Sequence, residues 1–240
     1  MEHHSFTWVS AIPGVNLLPG HVSTALLVLA IIVFFVMRAN SQRAAAQDSA
    51  IPDDSLTFRN IAELMVEGII GMAEGILGHQ ARKYVPLYGT FFIFILVSNL
   101  MGLIPGFSPP TTNFNVTLAL GLLSFTAYNF FGFKEQGIGY LKHFIGPMLW
   151  LAPLMIPLEL ISNFVRPFSL ALRLLGNMTG DHTVLEIFTD LTKVIIPVIF
   201  YGLGTFVSFV QAFVFTLLSM VYVSLAVTHH GGEEHGHAHH

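Results

Sequence analysis

The sequence contains no cysteine and few charged residues. Of its 240 residues none is Cys and only 10% are Asp, Glu, Lys or Arg, whereas 53% are hydrophobic. A soluble globular domain usually carries about 25% charged residues, so this composition excludes an ordinary water-soluble protein, a disordered chain and a disulfide scaffold. The formal net charge of −4 provides no basic field for nucleic acid. The composition therefore indicates an integral membrane protein with several spans.

Apolar residues form runs that are long enough to cross a bilayer as helices. A spanning helix needs about 20 mostly apolar residues, and a loop such as GFSPPTTNFN separates two of the runs. We therefore predict one all-α membrane domain over residues 1–240 with five crossings, the last two long, tilted and packed as a hairpin. The predicted crossings are residues 17–37, 86–104, 116–133, 145–178 and 194–228.

Two further segments have a different pattern. Residues 60–83 combine apolar positions at the helical period with Glu63, Glu67 and Glu74, which is typical of an amphipathic helix that lies in the membrane interface. Residues 229–240 are rich in His, Gly and Glu. This composition predicts a flexible, solvated tail rather than a metal site.

Positive charges are distributed unevenly between the loops. The segment before the first apolar run has no Lys or Arg. The segment after it holds Arg38, Arg43, Arg59, Arg82 and Lys83. Because cytoplasmic loops favour Lys and Arg, we expect the N-terminus outside and, after five crossings, the C-terminus in the cytoplasm. Lys193 on the outer side is the exception.

An arginine lies deep inside an apolar run. Arg173 stands in the segment LELISNFVRPFSLALRLLGNM, and an arginine at membrane depth costs several kcal/mol on insertion scales. On a helix with about 100° per residue, Arg166 lies about 20° and Glu159 about 40° from Arg173. Ser169 and Asn177 fall within about a quarter turn of the same line. One face of this helix is therefore polar along most of its length.

The polar side chains change sides beyond Arg173. If the helix continues, His182 points about 180° away from Arg173, and Glu186 lies one turn further on the same face. A single pore would keep one face wet, whereas two offset half-length wet paths need such a change. The last helix carries its own polar stripe with Gln211, which antiparallel packing could bring near Arg173.

Other interpretations of these residues stay open on the pattern alone. Arg173 could be a structural residue, although Glu159 is about four turns away, or it could extend to the interface. Arg166, followed by Pro167, is better explained as a helix-packing or interfacial residue. The chain could be a proton-coupled secondary transporter that binds an anionic substrate at Arg173, or a structural anchor of a membrane complex. No phosphate-binding loop or nucleophile elbow favours an enzyme.

Three segments together carry a family resemblance. With SLALRLLGNM, PLELISN upstream and VQAFVFTLLSMVYVSLA downstream, the chain resembles subunit a of the F-type ATP synthase membrane sector. The resemblance implies the stator half of a rotary proton channel in a bacterial plasma membrane. Its implied partners are a ring of hairpin proteolipid subunits, each with one carboxylate at mid-membrane, b-type subunits of the peripheral stalk, and membrane lipid. It implies no cofactor, and ATP would be handled by other subunits.

The resemblance also implies roles for individual residues. Arg173 matches the essential arginine of the family, and Asn177 and Gln211 match its polar neighbours. Glu159 matches an acidic position of the inner half-channel, and Ser169 a small polar neighbour of the arginine.

The sequence departs from the family pattern at one pair of positions in the outer half-channel. Many bacterial relatives have Glu where this chain has His182, and His or Glu where it has Gly204. Our hypothesis is that Asp181 and Glu186 supply the missing acid.

Overall fold

The computed structural model describes residues 19–45, 57–78, 81–137, 139–140, 152–191 and 195–228. These residues form helices and connecting turns, and no strand occurs among them. The helices are α1 (Gly20–Ala45), α2 (Phe58–Leu77), α3 (Ala81–Met101), α4 (Phe114–Gln136), α5 (Ala152–Leu191) and α6 (Ile195–Thr228), with a 3₁₀ turn at Pro110–Thr112. The predicted all-α architecture is confirmed.

Four of the described helices are long and apolar enough to cross a membrane, namely α1, α3, α4 and α6. The chain is thus an integral membrane protein by length and composition of its helices. Helix α5 is not among the four, and charged residues such as Glu159, Arg166 and Arg173 interrupt its apolar sequence. The fifth crossing through α5 stays a prediction.

The predicted interfacial helix ends earlier than expected. We predicted one helix over residues 60–83, but α2 ends at Leu77 and residues 81–83 begin α3. Gly78 ends α2 because its φ of +59° lies in the left-handed region, where its N–H donates to the carbonyl of Glu74. At the other end, the Thr57 side chain accepts a hydrogen bond from the Asn60 N–H and caps the helix.

Helix α5 continues beyond its predicted end at residue 178 and reaches Leu191. The polar residues after Met178 interrupt the apolar run and suggested that the helix ends there, but they recur at helical spacing. His182 and Glu186 face each other one turn apart, and the Thr189 hydroxyl donates to the Leu185 carbonyl. Polar side chains can thus be satisfied along the helix itself. The predicted start at 145 and the tail at 229–240 lie outside the described residues.

Pro167 removes a backbone hydrogen bond from α5, and α4 compensates for it. Proline has no N–H, so the carbonyl of Asn163 loses its intrahelical donor. The Tyr128 hydroxyl of α4 lies 3.3 Å from that carbonyl and also contacts the Asn163 side chain. Gly121 allows the close approach, because a Cβ at this position would lie 2.5 Å from the Pro167 carbonyl oxygen. Helix α4 therefore fixes α5 shortly before Arg173.

Helices α5 and α6 pack antiparallel in a regular register. The rings of Phe188 and Phe200 stack with centroids 4.4 Å apart, Asn177 hydrogen-bonds Gln211, and Arg166 lies over the ring of Tyr222. These contacts are eleven residues apart on each helix, at 188, 177 and 166 on α5 and at 200, 211 and 222 on α6. At 1.5 Å per residue they span about 33 Å, close to the thickness of a bilayer core.

The ends of several helices meet at one end of the bundle. Arg82 at the start of α3 contacts Glu74 near the end of α2, and Lys83 contacts Glu135 near the end of α4. The Gln136 side chain donates to the Ala226 carbonyl of α6 at 2.8 Å. The C-terminal end of α6 therefore lies at the same end as these basic residues.

Candidate functional site

Arg173 lies on the exposed edge of α5. Its neighbours Leu170, Ala171 and Leu174 are buried against the bundle, whereas Arg173 and Leu172 are exposed. Arg173 makes no hydrogen bond or ion pair with any residue that the structure describes. The guanidinium is thus presented outward.

Exposed apolar side chains lie on the same two helices, α5 and α6. Helix α4 packs against both of them, and α3 packs against α6. The exposed apolar side chains on the remaining side of the pair are here named the open face. The open face consists of Val165, Phe168, Leu172, Leu203, Phe206 and Val210. A positive charge beside such a surface is unusual for lipid contact.

Asn177 and Gln211 connect the two helices one turn beyond Arg173. The Asn177 amide donates to Gln211 Oε1 at 2.5 Å. We predicted Gln211 near Arg173, and in the structure Gln211 is hydrogen-bonded to Asn177, which lies one turn from Arg173 on the same helix edge. Gln211 is buried, and within the described residues neither its Nε2 nor the Ser208 hydroxyl has a hydrogen-bond partner. Buried polar atoms are nearly always hydrogen-bonded, to protein or to water.

Three of the predicted site residues, Asp181, His182 and Glu186, follow on the C-terminal part of α5. His182 Nδ1 lies 3.5 Å from Glu186 Oε1, and Glu186 is exposed. Asp181 lies against Gly204 of α6, because a Cβ on Gly204 would be 2.9 Å from Asp181 Oδ2 and 2.6 Å from the Leu103 side chain. The structure thus brings Asp181 to the position where a side chain at 204 would stand.

A small cavity adjoins Asp181 and His182 where α5 meets the end of α3. It is lined by Asn99, Gly102, Leu103, Pro109, Met178, Asp181, His182 and Leu185. The Thr111 hydroxyl donates to Asn99 Oδ1 at 2.8 Å, while Asn99 Nδ2 is buried without a partner among the described residues. Asn99 was not predicted as a site residue from the sequence, although an amide in a predicted span is a signal of a polar partner.

Glu159 and Arg166 form a second cluster toward the N-terminal part of α5. Arg166 Nη2 lies 3.8 Å from Glu159 Oε1, and its guanidinium lies 5.4 Å from the centroid of the Tyr222 ring. Burial raises the pKa of the nearby Tyr140 hydroxyl, on which the charges of Arg166 and Glu159 act in opposite directions. From the sequence, Arg166 was predicted to be a helix-packing or interfacial residue, and its contact with Tyr222 was not predicted.

The structure brings the predicted residues together only in part. Glu159, Arg173 and Asn177 share one edge of α5, with Ser169 partly exposed beside it. Asp181 and His182 lie on the side that faces α3 and α6. Among the described residues no group of three or more His, Cys, Asp or Glu side chains could hold a metal ion.

Comparison with known proteins identifies relatives along almost the whole chain. A family model described as ATP synthase A chain matches residues 22–224. ATP synthase subunit a of Bdellovibrio bacteriovorus is 46% identical over 226 residues, which cover 94% of this chain and 99% of the relative. ATP synthase subunit a 1 of Pelobacter propionicus is 49% identical over 166 residues, or 69% and 72% of the two chains. ATP synthase subunit a of Geotalea uraniireducens is 46% identical over 180 residues, or 75% and 76%.

Proposed function

Because the chain belongs to the ATP synthase A chain family, we propose that it is the stator subunit of a rotary F-type ATP synthase. In this role it forms two offset proton half-channels and couples proton translocation to ATP synthesis or hydrolysis. The open face lies against a ring of hairpin proteolipid subunits, each with a carboxylate at mid-membrane. ATP is handled by other subunits of the complex, and b-type subunits complete the stator.

The exposure of Arg173 carries this proposal. A lone arginine at membrane depth is costly, and this one makes no ion pair with the described residues of its own chain. Its position beside Leu172 and Val165 on an apolar surface is explained if a carboxylate from another subunit approaches it there. The partner of Arg173 is therefore the passing carboxylate of the ring.

Proton release from the ring carboxylate follows from the permanent positive charge of Arg173. Arginine stays protonated in proteins, so Arg173 favours the ionised form of a carboxylate that arrives beside it, and the proton is released. Once the carboxylate moves on toward lipid it must take up a proton, because a charged carboxylate there is too costly. Arg173 also repels a proton that would pass directly from one half-channel to the other. The membrane potential supplies about 2.3 kcal/mol per charge per 100 mV.

Glu159 and Ser169 belong to the inner half-channel in this proposal. Both lie on the N-terminal side of Arg173 in α5, along the edge that Arg173 shares. Glu159 is only partly buried, so its carboxylate can exchange protons with water. It accepts or donates protons on the inner side of the membrane.

Asp181, His182 and Glu186 supply the outer half-channel. The absence of a side chain at Gly204 leaves room for the Asp181 carboxylate beside α6, which supports Asp181 as the acid of this path. Four buried atoms on α3 and α6 have no hydrogen-bond partner within the described part of the chain, namely Asn99 Nδ2, Ser98 Oγ, Ser208 Oγ and Gln211 Nε2. Such atoms are satisfied if water fills the path between α3 and α6. The Asn177–Gln211 pair then separates this water from Arg173.

The arrangement of helix ends supports the proposed orientation. Arg82, Lys83 and the C-terminal end of α6 lie at one end of the bundle, and basic residues mark the cytoplasmic side. We therefore place the C-terminus in the cytoplasm, the N-terminus outside and the protein in a bacterial plasma membrane.

Replacement of Arg173 tests the proposal. In the assembled complex, Arg173→Ala should abolish ATP-driven proton pumping into inverted vesicles. Arg173→Lys should leave less than about a tenth of the rate, because lysine loses its proton when it is desolvated. Arg82→Ala, which removes an exposed arginine outside the hairpin, serves as the control. Unaltered pumping by Arg173→Ala would contradict the proposal.

A further inference from the structure

Arg166 and Glu159 form an ion pair along the edge of α5 that faces α6. The atoms Arg166 Nη2 and Glu159 Oε1 are 3.8 Å apart, and 24% and 30% of the two side chains are exposed. Side chains in a helix point back toward its N-terminus, so the long Arg166 side chain extends toward Glu159. We propose that Arg166 is a positioning residue that holds the Glu159 carboxylate at the seam between α5 and α6. This inference rests on the proposed function, in which Glu159 serves the inner half-channel.

Tyr222 fixes the guanidinium from α6. The Arg166 Cζ atom lies 5.4 Å from the Tyr222 ring centroid, within the range of a cation–π contact. The Tyr222 ring lies 6.1 Å from the ring of Tyr128, whose hydroxyl contacts Asn163 of α5. The cation is therefore held between a carboxylate of its own helix and an aromatic ring of the next, which limits its rotamers and those of Glu159.

The pair keeps the carboxylate away from the apolar side of the helix. Leu160, Ile161, Phe164, Val165 and Phe168 line an open groove on α5 that has no polar surface. A carboxylate turned toward this groove would face lipid or the ring, where an unpaired charge is costly. Attraction to Arg166 keeps it instead on the polar edge. The inner path for protons then follows the seam between α5 and α6.

Among the described residues, tyrosines are the ionisable groups that face the pair from other helices. Tyr140 lies close enough for both charges to act on its hydroxyl, which donates to Asn129 at 2.9 Å. Tyr128 of α4 and Tyr222 of α6 face Arg166. Arg166 itself cannot relay a proton, because its guanidinium does not deprotonate. It acts on translocation only through Glu159.

A double-mutant cycle tests this role in the assembled complex. Arg166→Gln should lower the rate of ATP-driven proton pumping by about three- to tenfold, which lies within the range of coupling between neighbouring side chains. Arg166→Lys keeps the charge and should restore at least half of the lost rate. In a Glu159→Gln background, Arg166→Gln should have no further effect. Rates are divided by the amount of the subunit in the membrane.

Two controls separate positioning from folding. Arg82→Gln removes an arginine 3.5 Å from Glu74, an exposed pair outside the hairpin, and should pump at the parent rate. If Arg166→Gln does not assemble, Tyr222→Leu removes only the stacked ring, and its loss of rate should disappear in the Glu159→Gln background.

Three outcomes would overturn the positioning role. Arg166→Gln could pump at the parent rate, or the losses of Arg166→Gln and Glu159→Gln could multiply in the double variant. The third outcome is that Arg166→Lys pumps no faster than Arg166→Gln. Arg173→Ala run in parallel keeps the two proposals distinct. If Arg173→Ala pumps normally, the proposed function is wrong. If it is inactive while Arg166→Gln pumps normally, only the positioning role is wrong.

Discussion

The arginines of α5 differ in their partners. Arg166 has a carboxylate at 3.8 Å and an aromatic ring at 5.4 Å, whereas Arg173 is exposed and makes no ion pair with the described residues. A charge that is compensated within its own chain can be structural or positioning. A charge left uncompensated beside an apolar surface needs a partner from another molecule. Under the two proposals, the same residue type therefore has two roles within two turns of one helix.

Neutralising the outer acids should block proton entry on that side. Asp181 lies against Gly204, and Glu186 contacts His182, so the double variant Asp181→Asn, Glu186→Gln removes both carboxylates with little change in shape. We expect passive proton flux through the membrane sector to fall by at least about tenfold, the scale of removing a general acid or base. The flux is measured in vesicles stripped of the ATP-hydrolysing subunits.

A variant of Glu67, an exposed glutamate of α2, serves as the matched control for that measurement. Glu67→Gln should leave the flux unchanged. If the Asp181, Glu186 double variant also conducts at the parent rate, neither acid belongs to the path.

Helical spacing predicted which site residues share a face, but not their contacts between helices. Glu159, Arg173 and Asn177 could be placed on one edge of α5 from the sequence, because about 100° per residue fixes their directions. The contacts of Arg166 with Tyr222 and of Asp181 with Gly204 depend on the register between α5 and α6. That register follows from side-chain packing between the two helices, which no local pattern specifies.

At the scale of helices, the contact between α4 and α5 determines where Arg173 stands. Gly121→Val should place side-chain atoms where the Pro167 carbonyl lies, since even a Cβ would be 2.5 Å from that oxygen. Backbone cannot yield as a flexible side chain does, so we expect a cost of about 1–3 kcal/mol and a displaced α5. Proton pumping in vesicles should fall several-fold. The thermal stability of the solubilised complex, measured in parallel, should fall as well.

The control for this prediction is a glycine with open space around it. Gly68→Ala in α2 meets nothing within 4 Å and should leave pumping and stability unchanged. Equal behaviour of the Gly121 and Gly68 variants would show that the close approach of α4 does not position α5.

The positions of the helices were predictable from the apolar runs, and their ends less so. The segment 60–83 combined the end of α2 with the start of α3, because Gly78 in a glycine-rich helix gives no distinct signal of a stop. The end of α5 was predicted too early because the polar residues near 179–193 interrupt the apolar run, although His182, Glu186 and Thr189 find partners within the helix. A polar sequence therefore does not by itself exclude a continuous helix.

At the scale of the whole molecule, the other described helices leave one side of the hairpin of α5 and α6 uncovered. Helices α3 and α4 cover its other sides, and its contacts extend over about 33 Å, about the thickness of the bilayer core. The bundle thus supports a pair of long helices whose open face carries Arg173. A rotor ring at this face would pass its carboxylates along the exposed guanidinium.

Disulfide cross-linking to the ring tests this arrangement most directly. The chain has no cysteine, so one introduced thiol is unique in this subunit, and the partner thiol is placed beside the ring carboxylate. Leu172→Cys lies next to Arg173 on the open face, and Leu123→Cys lies on α4 with similar exposure, 55% against 52%. In the oxidised complex we predict a cross-linked band from Leu172→Cys and none from Leu123→Cys. A band from Leu123→Cys without one from Leu172→Cys would contradict the account.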